Sequence, residues 1–210
     1  MVEYNKIETI FERSMDGSKK LIEGKFRNPT VEFLKDIQWT FTEKIDGTNV
    51  RVHWDGHKIE FGGRTDRAQI PVNLINYLND KFMNIETEEL FEQKFGENDV
   101  ILFGEGYGAK IQGVGGLYRP DNSFILFDVM INGNYQEREN VEDVAKSFSI
   151  DIVSIIFTGM LLEGVKYVKA HPASTIGSAP MEGLVARPAR ELKDRCGNRV
   201  IVKIKVKDFE

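Results

Sequence analysis

The segment Glu43-Lys44-Ile45-Asp46-Gly47-Thr48-Asn49 places a primary amine among two carboxylates and an Asp-Gly pair, between two alternating stretches. A lysine held at a rigid strand end becomes a nucleophile once its ammonium loses a proton. The same residues also read as a hairpin turn made by Asp46-Gly47, with Lys44 in solvent. In Leu102-Phe103-Gly104-Glu105-Gly106-Tyr107-Gly108 a carboxylate stands between glycines, where backbone can come close to a ligand hydroxyl; a glycine-rich turn with a surface acid has the same composition. Phe124-Ile125-Leu126-Phe127-Asp128-Val129 sets aromatic rings, either of which could be core, beside an acid. Met181-Glu182-Gly183-Leu184-Val185 offers another carboxylate next to glycine. In Val202 to Lys207 lysine alternates with aliphatic residues, so a strand there carries Lys203, Lys205 and Lys207 on one face and Val202, Ile204 and Val206 on the other. Three ammonium groups on one face repel unless an anion sits between them, although lysines guarding an edge strand give the same pattern.

In this order the five elements resemble motifs I, III, IIIa, IV and V of the covalent nucleotidyltransferase superfamily, which contains polynucleotide ligases and mRNA capping enzymes. The resemblance covers Trp39 to Glu210. Its details are most similar to the RNA ligase 2 family: Lys44-x-Asp-Gly-Thr-Asn49, where DNA ligases usually carry arginine at the position of Asn49; Gly108-Ala-Lys-Ile111-Gln112-Gly113 after motif III; and Lys203-x-Lys205 followed by Phe209.

The resemblance implies an ATP-dependent RNA ligase, or its adenylyltransferase domain. Lys44 would take AMP from ATP as a lysyl-adenylate, the AMP would pass to a 5′-phosphate, and a 3′-hydroxyl would displace it to seal the strand. It further implies that Glu43 contacts the adenine edge, Phe127 stacks on adenine, Glu105 accepts a hydrogen bond from the ribose and Arg64 lies near the sugar and phosphate. Asp128 also belongs to the nucleotide-binding set. Glu182 would be the metal-linked carboxylate for Mg or Mn, Lys203 and Lys205 would steady phosphate oxygens and lower the pKa of Lys44, and Asp46 and Asn49 would support later steps. Other members of the class stay open: a DNA ligase or capping guanylyltransferase domain sharing these residues, or a non-catalytic nucleic-acid-binding relative. The expected partner is nicked or broken RNA, in RNA repair, with a monomeric protein and no membrane association.

The elements that must position these residues read mainly as strands: 39–45, 49–55, 58–64, 100–107, 123–131, 150–157, 183–187 and 199–207. The first three suggest an antiparallel meander. Helical spacing appears where Val72, Ile75, Leu78 and Phe82 recur, and over 86–95, 137–148 and 159–169. Strands and helices without strict βαβ alternation predict an α+β fold on antiparallel sheet, and the resemblance makes it an ATP-grasp-like ligase domain with flanking helices. Gly104 to Gly108 lacks the spacing of a dinucleotide-binding loop. The expected organisation is one adenylyltransferase domain over 1–210, with 1–38 as an N-terminal extension and no C-terminal accessory domain.

Composition sets outer limits. The 210 residues include 28 basic and 33 acidic ones, for a net charge of −5, which excludes a globally basic nucleic-acid coat. The single cysteine, Cys196, excludes an intramolecular disulfide and any multi-cysteine zinc site, and points to a reducing cytoplasm, that of a host if the chain is viral. The longest apolar-rich run, Ile150 to Leu162, is interrupted by Asp151, Ser154, Thr158 and Gly159. Charge is uneven: Arg187, Arg190, Lys193, Arg195, Arg199, Lys203, Lys205 and Lys207 face only Glu191 and Asp194 between Gly183 and Lys207. Such a basic stripe suits phosphates.

Overall fold

The computed structural model describes residues 1–210. Along the chain the strands are β1 (Glu8–Thr9), β2 (Phe11–Arg13), β3 (Leu21–Phe26), β4 (Trp39–Lys44), β5 (Thr48–Trp54), β6 (Ile59–Gly62), β7 (Val100–Gly108), β8 (Asn122–Ile131), β9 (Asn134–Tyr135), β10 (Asp151–Ile152), β11 (Ile155–Gly159), β12 (Gly183–Pro188) and β13 (Val202–Lys205). The helices are α1 (Pro29–Phe33), α2 (Val72–Phe82), α3 (Ile85–Phe95), α4 (Gly115–Tyr118), α5 (Arg138–Ser147) and α6 (Leu161–Lys169). No helix is long and apolar enough to cross a membrane.

The chain divides into two compact units. The first comprises Met1–Asn5 and Asp46–Val153, the second Lys6–Ile45 and Ser154–Glu210.

The first unit is built on a sheet ordered β10-β8-β7-β5-β6, with β9 also on β8. Its long neighbours are antiparallel: β5 runs against β7 from Thr48 opposite Gly106 to Trp54 opposite Val100, and β7 runs against β8. Period-2 side chains of these strands, Val50, Val52, Leu102, Phe124 and Leu126, form a core with Leu74, Leu78 and Phe82 of α2, Phe91 of α3, and Val141 and Val144 of α5. The three- and four-residue spacing of the helical members puts them on one stripe. Asn84 starts α3 by accepting a hydrogen bond from the Thr87 N–H at 2.9 Å.

The second unit carries a sheet ordered β1-β13-β12-β4-β11 and a small β2-β3 hairpin. Trp39 and Phe41 of β4, Leu184 and Ala186 of β12, and Val202 and Ile204 of β13 pack with Leu161, Val165 and Val168 of α6. The Phe41 and Phe157 rings stack at 4.4 Å.

The α+β expectation holds; antiparallel pairing predominates, and only β1 with β13 and β10 with β8 are parallel. Three local expectations are corrected. The segments 39–45 and 49–55 do not form a meander: β4 has β12 on one side and β11 on the other, so both its edges are taken, and β5 pairs instead with β6 and β7. The 150–157 strand is two strands in two sheets, because the Val153 N–H donates to the Leu126 carbonyl while the next residue's carbonyl accepts from the Glu43 N–H. The strand expected over 199–207 ends at Lys205. The Val206 N–H turns to the Glu182 carbonyl, and Val206–Asp208 form a 3-10 turn, which takes Lys207 out of the alternation.

Candidate active site

In the second unit, the central strand β12 begins at Gly183, whose register partners are Lys44 on β4 and Lys205 on β13. Glu182 precedes that rung and reaches both. Lys44 Nζ donates to Glu182 Oε2 at 2.6 Å, and Lys205 Nζ pairs with the other carboxylate oxygen. The side chains of Lys44, Glu182 and Lys205 are 23%, 13% and 18% exposed, so the cluster is sheltered yet open to a ligand. Gly183 is essential to the approach of the strands: its φ is +157°, and a Cβ there would lie 2.2 Å from the Ile204 carbonyl oxygen. Lys203, two residues before Lys205, lies opposite Val185.

Glu43 neighbours Lys44 on β4 and, by strand alternation, faces the other way. It is 2% exposed. Its carboxylate accepts from the Ser174 and Thr175 hydroxyls and from the Thr175 N–H, the last at 2.9 Å. A carboxylate has about four acceptor positions, so three are filled from within the unit.

The first unit carries the remaining expected residues. Asn49 lies opposite Glu105 in the β5-β7 ladder. Asn49 Oδ1 is buried without a hydrogen-bond partner, an acceptor of the kind that a ligand donor completes. The Asp46 N–H donates to Tyr118 Oη at 3.2 Å, and Gln112 Nε2 donates to the Gly47 carbonyl at 3.0 Å. A Cβ at Gly47 would stand 2.3 Å from the Gly106 carbonyl oxygen, so the turn after Asp46 and the Glu105 strand fit only with glycine.

Phe124 is wholly core. Phe127 is half-buried, with the Tyr4 ring edge-on at 5.0 Å. Asp128 is fully buried and accepts from Tyr4 Oη at 2.7 Å. Arg64 is exposed in the loop after β6. Arg51, also fully buried, anchors that loop: its guanidinium donates to the Gly63 carbonyl at 2.6 Å, to the Met1 and Val2 carbonyls, and to Asp66 Oδ1.

Sequence reading reaches Lys44, Glu182 and Lys205, which the structure brings together, and Asn49 and Glu105, which it pairs. Lys207 drops out of its expected face. The reading misses Ser174 and Thr175, Tyr4, Arg51 and Tyr118. The one available signal is Arg51 itself, a charged residue among Val50, Val52 and Trp54 in a strand whose two faces are both buried.

The RNA ligase family pattern matches residues 37–205, and the chain belongs to that family. Among solved structures, Naegleria gruberi RNA ligase is similar. An apo point mutant superposes with a TM-score of 0.68 at 19% identity over 98% of this chain and 56% of that one. The same ligase with pyrophosphate gives 0.65 at 19% identity, over 98% and 62%, and a point mutant with ATP and Mn gives 0.65 at 19%, over 86% and 52%. At these identities the likeness is one of fold, and this chain spans little more than half the length of those ligases. A comparison with curated proteins finds no match.

Proposed function

We propose that the chain is the adenylyl-transferring part of an ATP-dependent RNA ligase. The observation that carries this reading is the Lys44-Glu182-Lys205 cluster, one carboxylate between two ammonium groups across three adjacent strands. Lys44 Nζ, after releasing a proton to solvent, forms the bond to the α-phosphorus of ATP with its freed electron pair, the bond from that phosphorus to the bridging oxygen breaks, and pyrophosphate leaves with that bond's electrons. The adenylate is then passed to an RNA 5′-phosphate, and a 3′-hydroxyl expels AMP as the strand is joined. Such group transfer depends on positioning and charge neutralisation more than on acid-base chemistry. Glu182 orients Lys44 by accepting its hydrogen bond, while Lys205, with Lys203 on the same strand, supplies positive charge for phosphate oxygens. By family resemblance, Glu105 accepts from the ribose, Phe127 stacks on adenine, a contact of about 1–3 kcal/mol, Arg64 serves the sugar and phosphate, and Asn49 and Asp46 serve the later steps.

A divalent cation fits the donor set. No group of three or more His, Cys, Asp or Glu is gathered as a metal cage, whereas Mg and Mn sites of nucleotide enzymes use one or two carboxylates together with substrate phosphates. Glu182 is the carboxylate that would hold it, through the oxygen lone pairs that its bonds to Lys44 and Lys205 leave open. Bound there, the ion supplies charge neutralisation for the phosphates.

The test is covalent labelling. Incubated with α-labelled ATP and Mg or Mn, the protein yields a labelled band that survives denaturation, and Lys44→Ala abolishes it. Labelling by GTP in place of ATP, or none by any nucleotide, overturns the proposal.

A further inference from the structure

The basic stripe between Gly183 and Lys207 is sorted by the structure into groups with different roles. Lys205 belongs to the active-site cluster, and Arg199 is structural: 5% exposed, it grips Glu191 with two parallel hydrogen bonds at 2.6 and 2.9 Å. What is left at the β12-β13 connection is a closed hairpin. Lys193 and Arg199 form a bridge, the Asp194 N–H donates to the Asn198 carbonyl at 2.8 Å, and the Val200 N–H donates to the Leu192 carbonyl at 2.9 Å. Both acids of the segment are engaged inside it. Glu191 is neutralised by Arg199, and the Asp194 carboxylate accepts from the Cys196 and Asn198 N–H groups and the Asn198 side chain. Arg190, Lys193 and Arg195 are exposed, and none of them is ion-paired. A structured hairpin is thus displaying three cations that its own acids do not balance.

Its place in the sheet is informative. The rung at Gly183 and Lys44 is one end of the β12-β4 ladder, and the rung at Pro188 and Trp39, where the hairpin begins, is the other. Five residues of antiparallel strand span about 17 Å. A nucleic-acid strand rising about 3.4 Å per nucleotide covers that distance in about five nucleotides. The hairpin is therefore too far from Lys44 to touch the nucleotide bound there, and within reach of a polynucleotide whose end lies at Lys44.

We propose that the Ala189–Ile201 hairpin, through Arg190, Lys193 and Arg195, grips the phosphate backbone of the RNA strand beginning about five nucleotides from the end being joined. The identification of that strand as RNA rests on the ligase reading above. Contacts to phosphates fix register without reading sequence, which suits an enzyme that must accept ends of many sequences.

The experiment measures binding of 5′-phosphorylated RNA to the wild-type protein and to the triple variant Arg190→Ala/Lys193→Ala/Arg195→Ala. Two RNAs are compared, about 4 and about 16 nucleotides long, the shorter falling short of the hairpin. Removing three single-strand phosphate contacts should reduce the slope of log affinity against log salt by about 2, and weaken the longer RNA on the order of 100-fold at about 0.1 M salt. The shorter RNA should bind both proteins alike. The Arg190→Lys/Arg195→Lys variant keeps the charge and should keep the salt slope. Unchanged affinity and slope for the longer RNA, or equal losses for both lengths, overturn the proposal. Self-labelling by ATP reports on the ligase reading separately: the triple variant should label like wild type. A protein that binds long RNA through these residues but never labels would sink only the catalytic reading.

Discussion

Lys44 and Glu182, 138 residues apart in sequence, are joined at 2.6 Å because Lys44 is the register partner of Gly183. The same rung delivers Lys205 from the other side. The carboxylate therefore holds two ammonium groups that would otherwise repel. Replacing it by an amide, Glu182→Gln, keeps the shape and removes the charge. Covalent labelling by ATP should then fall about 100-fold or more, the scale seen when one preorganised electrostatic group is lost. Lys205→Met should lower it as well, and the double variant should be less impaired than the product of the two single losses, since all three residues form one unit. Rates of label incorporation decide this. A Glu182→Gln protein that labels as fast as wild type would show that the ion pair is unrelated to the chemistry.

Two glycines make these approaches sterically feasible. Gly183→Ala sets a Cβ 2.2 Å from a carbonyl oxygen at a φ of +157°, and Gly47→Ala sets one 2.3 Å from the Gly106 carbonyl oxygen. Backbone cannot yield as a side chain can. Each substitution should cost about 1–3 kcal/mol, the range for a strained backbone conformation at Gly183 and for steric overpacking at Gly47, measured by urea denaturation. Gly183→Ala should also displace Glu182 and slow labelling, whereas substitution of the open Gly116, where a Cβ meets nothing within 4 Å, should change labelling little.

The contrast between what is legible and what is hidden follows from range. Strand alternation is a local property, so Val202, Lys203, Ile204 and Lys205 announce their two faces, as do Val50, Val52 and Trp54 of β5, while β7 and β8 are legible as short, nearly continuous apolar runs buried on both faces. Pairing is not local. Alternation around Asp46-Gly47 has the signature of a hairpin, yet nothing in residues 39–55 says that β4 already has partners at 155–159 and 183–188. The carboxylate of Glu43 is equally opaque: its donors lie 131 and 132 residues away, in a turn-rich segment with no period to read. The fully buried Arg51 is visible as an anomaly, but three of its four acceptors, the Met1, Val2 and Gly63 carbonyls, are main-chain atoms on which side-chain identity is silent; only Asp66 Oδ1 is a side-chain acceptor.

The Glu43 site predicts a stability effect separable from chemistry. Ser174→Ala and Thr175→Val each remove a hydroxyl donor from a carboxylate that is 2% exposed. Leaving such a group less satisfied costs about 1–3 kcal/mol per lost bond. Thermal unfolding should report this, and Glu43→Gln should partly relieve the defect in the double variant because the uncharged amide needs less compensation. Equal stability of the double variant and wild type would show that water replaces the hydroxyls at no cost.

The Arg51-Asp66 pair makes the corresponding prediction about pH. The guanidinium is fully buried while the carboxylate side chain is 66% exposed, at 2.8 Å. The hydrogen bond from Arg51 holds the Asp66 carboxyl below its ordinary range. A group whose pKa is depressed by folding stabilises the folded state above its unfolded pKa, and that contribution disappears as pH falls through the folded value. The melting temperature of wild type should exceed that of Asp66→Asn by a constant amount from pH 7 down to about 5, and the two curves should converge on acidification below about pH 4, the ordinary value for an aspartate. Convergence follows because protonated Asp66 and asparagine are both neutral partners for Arg51. A gap that persists undiminished at the acid end would mean that Asp66 holds the Gly63 loop by something other than its charge.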